Sequence, residues 1–195
     1  MNLPLHLISM VLLFILVSPA HTSDDMIVKT CEKCAAKTEI FNSTFCVSSL
    51  EASPIGQPTN LTAMAVVPML EALDNATATA STIERMMAGG GFDGYGVACL
   101  RDCLQLYQDA ADELADAVRA FLKGQFGTAD VMVSAAMDAA VTCEQGFAER
   151  DGGGDHDDDD VWRSPLGREN YSLFELGEIS LCIISMLSDG VSTAS

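Results

Sequence analysis

The amino-acid sequence predicts an all-α protein, an up-down-up-down four-helix bundle with an N-terminal helical hairpin arm, stabilised by disulfides. Two apolar seams and the turn between them predict it. From Val97 to Phe121 the apolar residues fall at Val97, Leu100, Leu104, Tyr107, Ala111, Leu114, Val118 and Phe121. These alternating steps of three and four hold an a/d pattern over more than three heptads. The pattern resumes at Phe126, Ala129, Val133, Ala136, Ala140, Cys143 and Phe147. Only the short turn Lys123-Gly124-Gln125 separates them, which makes the two helices antiparallel neighbours. A helix of about 25 residues is roughly 38 Å long and is not stable alone, so its seam must be covered. No segment reads as a strand, and no tandem repeat is present.

Taken in order, residues 1–20 read as a secretory signal. Leu7 to Val17 form an apolar core, and Ser18-Pro19-Ala20 supplies small residues for cleavage, although the n-region has no Lys or Arg. The apolar run is short for a membrane span and no second span follows, so no membrane contact is expected after signal cleavage. The mature chain is expected to start near His21 to Asp24 and to form one domain over residues 24–188, followed by a frayed tail, 189–195.

The arm, residues 24–52, combines the helix-permissive Met26–Cys34 with a short amphipathic piece, Cys46–Leu50. Ser53-Pro54-Ile55-Gly56-Gln57-Pro58 reads as a linker. The bundle, residues 60–188, opens with a helix capped by Asn60 or Thr62 and reaching about Met87. Its core side is Leu61, Met64 or Ala65, Ala72, Ala76, Thr79, Ile83 and Met86, widened by Met69, Leu70 and Leu73. Pro68 lies inside it and predicts a kink or a broken first turn. Gly89-Gly90-Gly91 and Asp93-Gly94-Tyr95-Gly96 end it and connect to the Val97–Phe121 helix. After the second seam, the acidic insert 151–160 (DGGGDHDDDD) reads as a disordered linker. Leu173, Leu176, Ile179 or Ser180, Ile183 and Leu187 mark the last helix.

Seven cysteines follow the signal, an odd number that leaves at least one thiol unpaired within the chain. Cys103 and Cys143 lie symmetrically about Lys123 in the turn and are therefore level. Cys99 would be level with Phe147, about 6 Å along the axis from Cys143, so Cys103–Cys143 is the better bridge for a Cα separation near 5.5 Å. It closes a loop of about 40 residues, worth roughly 4 kcal/mol by chain entropy. Cys99 and Cys182 are not level with each other and read as buried small hydrophobes. The arm must then pair Cys46 with Cys31 or Cys34, and spacing alone leaves both open.

The formal net charge of −18 argues against nucleic acid as a partner and fits a basic partner or plain solubility. The mature chain holds only His21 and His156, neither on a packed element, so a Ser/His/Asp triad or a histidine zinc site lacks material. Asp109 and Glu113 share a helix face, but a solvated face suits them better than acid/base chemistry. Cys31-Glu32-Lys33-Cys34 has CxxC spacing without a redox fold around it, and Asp157–Asp160 lacks the glycine and terminal Glu of an EF-hand loop. No catalytic, cofactor or metal site is expected. Four sequons, at Asn42, Asn60, Asn75 and Asn170, are glycosylation candidates.

Six stretches carry a family resemblance: Ile27–Cys31, Phe45–Leu50, Asp102–Tyr107, Ser134–Met137, Thr142–Phe147 and Ser164–Leu166. Together, and in this order, they resemble the plant invertase and pectin methylesterase inhibitors. That resemblance implies a secreted four-helix bundle with a helical hairpin and two disulfides, Cys31–Cys46 and Cys103–Cys143, leaving Cys34, Cys99 and Cys182 as free thiols. It implies an inhibitor, not an enzyme, of the plant cell wall or apoplast, whose partner is a pectin methylesterase or an acid invertase (β-fructofuranosidase). The bundle helices would cover the target's substrate cleft. Invertase inhibitors often carry Pro-Lys-Phe where this chain has Gly124-Gln125-Phe126, which points toward pectin methylesterase. Cys34, Cys99, Cys182, the acidic insert and Pro68 depart from the pattern. The candidate target interface is the polar face of the second and third bundle helices: Gln105, Asp109, Asp112, Glu113, Asp116, Asp130, Ser134 and Asp138. Readings of another class are a secreted bundle carrying an apolar ligand, motivated by the Met content, and a cell-wall or pollen protein without inhibitory activity.

Overall fold

The computed structural model describes residues 20–53, 56–149 and 164–192. Among the described residues six helices follow in order: α1 (Ala20–Ala35), α2 (Ser43–Glu51), α3 (Leu61–Gly89), α4 (Gly94–Leu122), α5 (Phe126–Ala148) and α6 (Gly167–Ser192). Most of the signal segment and the whole acidic insert 151–160 lie outside the described residues. Helices α3 to α6 form the four-helix bundle. Each packs on its two ring neighbours, α3 on α4, α4 on α5, α5 on α6 and α6 back on α3. The hairpin α1–α2 leans on α6 and α3.

Local chemistry sets the helix starts. Asn42, Asn60 and Asp93 are N-caps in extended backbone, and their side-chain oxygens accept from the amides of Phe45, Ala63 and Gly96. Asn60, not Thr62, therefore caps the first bundle helix. Pro68 does not break this helix: α3 continues from Leu61 to Gly89, with Pro68 buried inside it. At the other end, Gly90 and Gly91 take positive φ (71° and 95°), where a side chain would be strained, and the chain turns into α4. The tail also differs from expectation, since α6 runs on to Ser192.

The α4 seam is rotated relative to the expected one. Leu100, Tyr107, Leu114 and Phe121 are buried as expected, joined by Cys103, Ala110 and Ala117. Val97, Leu104, Ala111 and Val118 are only half-buried. A helix in a four-membered ring packs on two neighbours, and the small residues Cys103, Ala110 and Ala117 allow the closest approach. On α5 the seam residues Ala129, Val133, Ala136, Ala140 and Cys143 are buried, between half-buried Phe126 and Phe147. Phe121 and Phe126 meet across the turn with ring centroids 5.2 Å apart.

Three disulfides staple these layers. Cys31–Cys46 closes the arm (Cα atoms 5.6 Å apart) and Cys103–Cys143 joins α4 to α5 (5.0 Å). The third corrects the expectation that Cys34 and Cys182 are free: they are bonded to each other, with Cα atoms 5.8 Å apart. The bond links the end of α1 to α6. Pairing arguments confined to the bundle could not find it, because the arm lies against α6. Two hydrogen bonds hold the same layer together, from the Tyr171 hydroxyl to the Ile40 carbonyl and from Ser49 Oγ to Glu71. Among the described residues Cys99 is the free cysteine. It is buried and donates its thiol to the Gly146 carbonyl at 3.3 Å.

Candidate target-binding face

The α4–α5 hairpin places the candidate interface residues on its outer side. Because the two helices are antiparallel about Lys123, Asp112 is level with Ser134 and Asp116 with Asp130. Gln105, Asp109, Asp112, Asp116 and Asp138 are exposed, and Glu113, Asp130 and Ser134 are half-buried. Gln105 Nε2 donates to Asp109 Oδ1 at 2.8 Å, which fixes the upper end of the strip. Asp116 pairs with Arg119, one turn on.

In the middle of the strip Asp109, Glu113 and Asp138 come together. Burial, followed by repulsion from Asp109 and then Asp138, raises the Glu113 carboxyl above its ordinary value. Glu113 therefore takes up a proton more readily than a glutamate free in water. The strip is a strongly negative, solvent-facing surface with no nucleophile–base pair on it. A surface of this sign is complementary in charge to a basic one.

A second polar constellation is buried. Glu144 of α5 accepts from the Ser164 amide (2.6 Å), from Ser164 Oγ (2.5 Å) and from Asn170 Nδ2 (2.8 Å). Asn170 Oδ1 in turn accepts from the Tyr107 hydroxyl at 2.5 Å. The cluster ties α4 and α5 to the start of α6. Burial raises the Tyr107 hydroxyl pKa far above its ordinary value, aided by Glu169 and Glu144. Asn170 is wholly buried, with its amide nitrogen committed to Glu144 and to Ser164 Oγ. The Asn170 sequon is therefore enclosed by the fold, which a sequon pattern cannot register. The Thr142–Phe147 and Ser164–Leu166 stretches were the sequence signal, but nothing in them shows that Glu144 faces inward.

Among the remaining sequons, Asn42 and Asn60 are exposed at helix starts, and Asn75 is half-buried in α3. No group of three or more His, Cys, Asp or Glu side chains arranged to hold a metal ion occurs among the described residues.

The comparisons with known proteins agree with this architecture. The family model described as "Plant invertase/pectin methylesterase inhibitor" matches residues 25–183. Two curated relatives, from Platanus acerifolia and Platanus orientalis, are each named "Putative invertase inhibitor". The first is 32% identical over 173 residues, covering 89% of this chain and 91% of the relative. The second is 32% identical over 165 residues, covering 85% and 91%. Two crystal structures share the fold at 24% identity: a pectin methylesterase inhibitor from Arabidopsis thaliana and a mutant form of an Arabidopsis pectin methylesterase inhibitor. Their TM-scores are 0.55 and 0.63, covering 84% and 81% of this chain and 96% of each neighbour. The matched family is one of proteinaceous enzyme inhibitors, not catalysts. By fold, by family match and by sequence identity, this chain belongs to the plant invertase/pectin methylesterase inhibitor family.

Proposed function

We propose that this protein is a secreted inhibitor of pectin methylesterase. It docks α4 and α5 across the enzyme's substrate cleft in a one-to-one complex and needs no cofactor. The choice of target rests on the α4–α5 turn. Gly124 there has φ of 75°, whereas the proline ring fixes φ near −65°. The turn is thus built in a way that a Pro-Lys-Phe start, frequent in the invertase inhibitors, cannot adopt. The acidic strip beside this turn supplies long-range attraction to a basic enzyme.

A second reading, inhibition of acid invertase, is favoured by the names of the two Platanus relatives. One experiment separates the two. The purified mature protein is titrated against a panel of pectin methylesterases and acid invertases at mildly acidic pH. Stoichiometric inhibition of pectin methylesterase alone is the expected result; inhibition of invertase alone replaces the first reading by the second. Activity against neither class removes both.

A further inference from the structure

Beyond Asn2, every asparagine of this chain stands in a sequon, at positions 42, 60, 75 and 170. The fold uses the two atoms of these amides differently. Asn42 and Asn60 engage only Oδ1, as helix caps (2.9 Å each), which leaves Nδ2 facing solvent. Nδ2 is the atom that carries a glycan, so cap and glycan are compatible. Asn170 engages Nδ2 itself, twice, at a site with no exposure.

Asn75 is the informative case. Its Oδ1 is buried without a hydrogen-bond partner, and its residue is not closed off from solvent. It lies in an open groove of about 370 Å³ between α3 and α6, walled by Thr79, Thr82, Arg168 and Ser172. That volume is in the range that houses a small ligand. Thr and Ser hydroxyls, the Ala78 methyl and the Arg168–Glu169 ion pair form its lining, a mixture suited to a sugar ring.

We propose that Asn42, Asn60 and Asn75 carry N-linked glycans, that Asn170 does not, and that the first N-acetylhexosamine on Asn75 seats in the α3–α6 groove. In the transfer, Nδ2 attacks the anomeric carbon of a polyprenyl-diphosphate-linked oligosaccharide. The N–C bond forms as the C–O bond to the diphosphate breaks, and the Nδ2 proton leaves with the diphosphate. Transfer precedes folding, so burial acts afterwards: a chain modified at Asn170 cannot close the Glu144 cluster and does not reach the native state.

The arrangement also marks a surface. In the ring of helices the α3–α6 seam lies opposite the α4–α5 pair, and α4 and α5 contain no asparagine. Glycans then cover the arm and the α3 side and leave the acidic strip bare. This last point rests on the proposed function above.

The test expresses the full chain behind its own N-terminus and, in parallel, the chain from Asp25 behind a heterologous secretion signal. Failure of the first alone overturns the secretion reading and leaves the sorting of sites to the second. The secreted, disulfide-intact protein is deglycosylated by peptide N-glycosidase in heavy-oxygen water and mapped by mass spectrometry. Label at Asn42, Asn60 and Asn75 and none at Asn170 is the expected pattern; label at Asn170, or an unmodified Asn75, overturns it. The variants Thr44→Ala, Thr62→Ala and Thr77→Ala remove each sequon while keeping the Asn side chain. Thr77→Ala is expected to lower the melting temperature more in secreted protein than in the same chain made without glycans; equal shifts overturn the seating of the sugar. For the bare face, Asp109→Asn with Ala111→Thr places a new sequon on α4. Its glycosylated form is expected to inhibit roughly tenfold less well or worse, as loss of a central patch does. Undiminished inhibition overturns the bare-face assignment. If the parent protein inhibits neither enzyme class, the target reading fails while the glycan map stands.

Discussion

Cys34 and Cys182, separated by 148 positions, are joined so that the end of the arm's first helix is fixed to the last bundle helix. The arm is thereby part of the bundle's outer layer, held also by Tyr171 on Ile40 and Ser49 on Glu71. Replacing both cysteines, Cys34→Ser with Cys182→Ser, removes a long loop closure worth about 5 kcal/mol at most by chain entropy. Hydrogen exchange checks where the loss falls: amides of α1 and α2 are expected to lose protection well before those of α4 and α5.

The buried cluster around Glu144 predicts a large effect from one side chain. Glu144→Ala leaves the Ser164 amide and hydroxyl and the Asn170 amide without their acceptor. At about 1–3 kcal/mol for each buried unsatisfied group, the total is about 3 kcal/mol or more by denaturant unfolding. Glu144→Gln keeps the volume but turns an NH2 group toward donors, and a smaller loss is expected. Tyr107→Phe removes one hydroxyl and costs about 1–2 kcal/mol.

Glu71, Glu113, Glu175 and Glu178 all have carboxyl pKa values raised above the ordinary one, chiefly by burial. The folded state then binds more protons than the unfolded state once pH exceeds the ordinary glutamate value, about 4.3. Stability therefore falls as pH rises from there through the raised folded values. A melting temperature higher near pH 5 than above pH 7 is expected, and Glu71→Gln and Glu113→Gln should each flatten the profile. A profile that rises toward neutral pH refutes this assignment.

Gly177 of α6 faces Met137 of α5 so closely that an added methyl group would meet the methionine's Cγ and Sδ. Overpacking costs about 1–3 kcal/mol, and the helix propensity of Ala over Gly returns up to about 1 kcal/mol. Gly177→Ala is expected to destabilise by about 1–2 kcal/mol. Pairing it with Met137→Ala should show strong non-additivity in a double-mutant cycle, because the second change removes the clash.

Charge reversal on the acidic strip should separate recognition from stability. Asp109→Lys with Asp112→Lys changes two exposed positions, so unfolding should shift by little, within about 0.5 kcal/mol each. Inhibition is expected to weaken, with most of the change in the association rate and a shallower dependence on salt.

Much of this architecture was legible because it is local. Heptad spacing gave the bundle helices, and the symmetry of Cys103 and Cys143 about Lys123 gave their bridge without any knowledge of the tertiary fold. What escaped notice depends on how separate pieces dock. No spacing relates Cys34 to Cys182, since the linker between arm and bundle sets no register. The α4 seam rotated toward Cys103, Ala110 and Ala117 because small residues win where two neighbours compete for one helix. Asn170 looked like a surface sequon because a tripeptide carries no information about burial. Glu144 was an acidic letter in an acidic sequence, and only the fold distinguishes it from Asp138, less than two turns away on the same helix.

The α4–α5 pair is clamped at both ends, by the Phe121–Phe126 contact at the turn and by Cys103–Cys143 toward the open end. A partner arriving on this face meets backbone that is already ordered. Docking there freezes side chains but no loop, so little conformational entropy is lost on association. An encounter on this face would be close to rigid-body, and differences among targets would then be written in how long the complex lasts rather than in how quickly it forms.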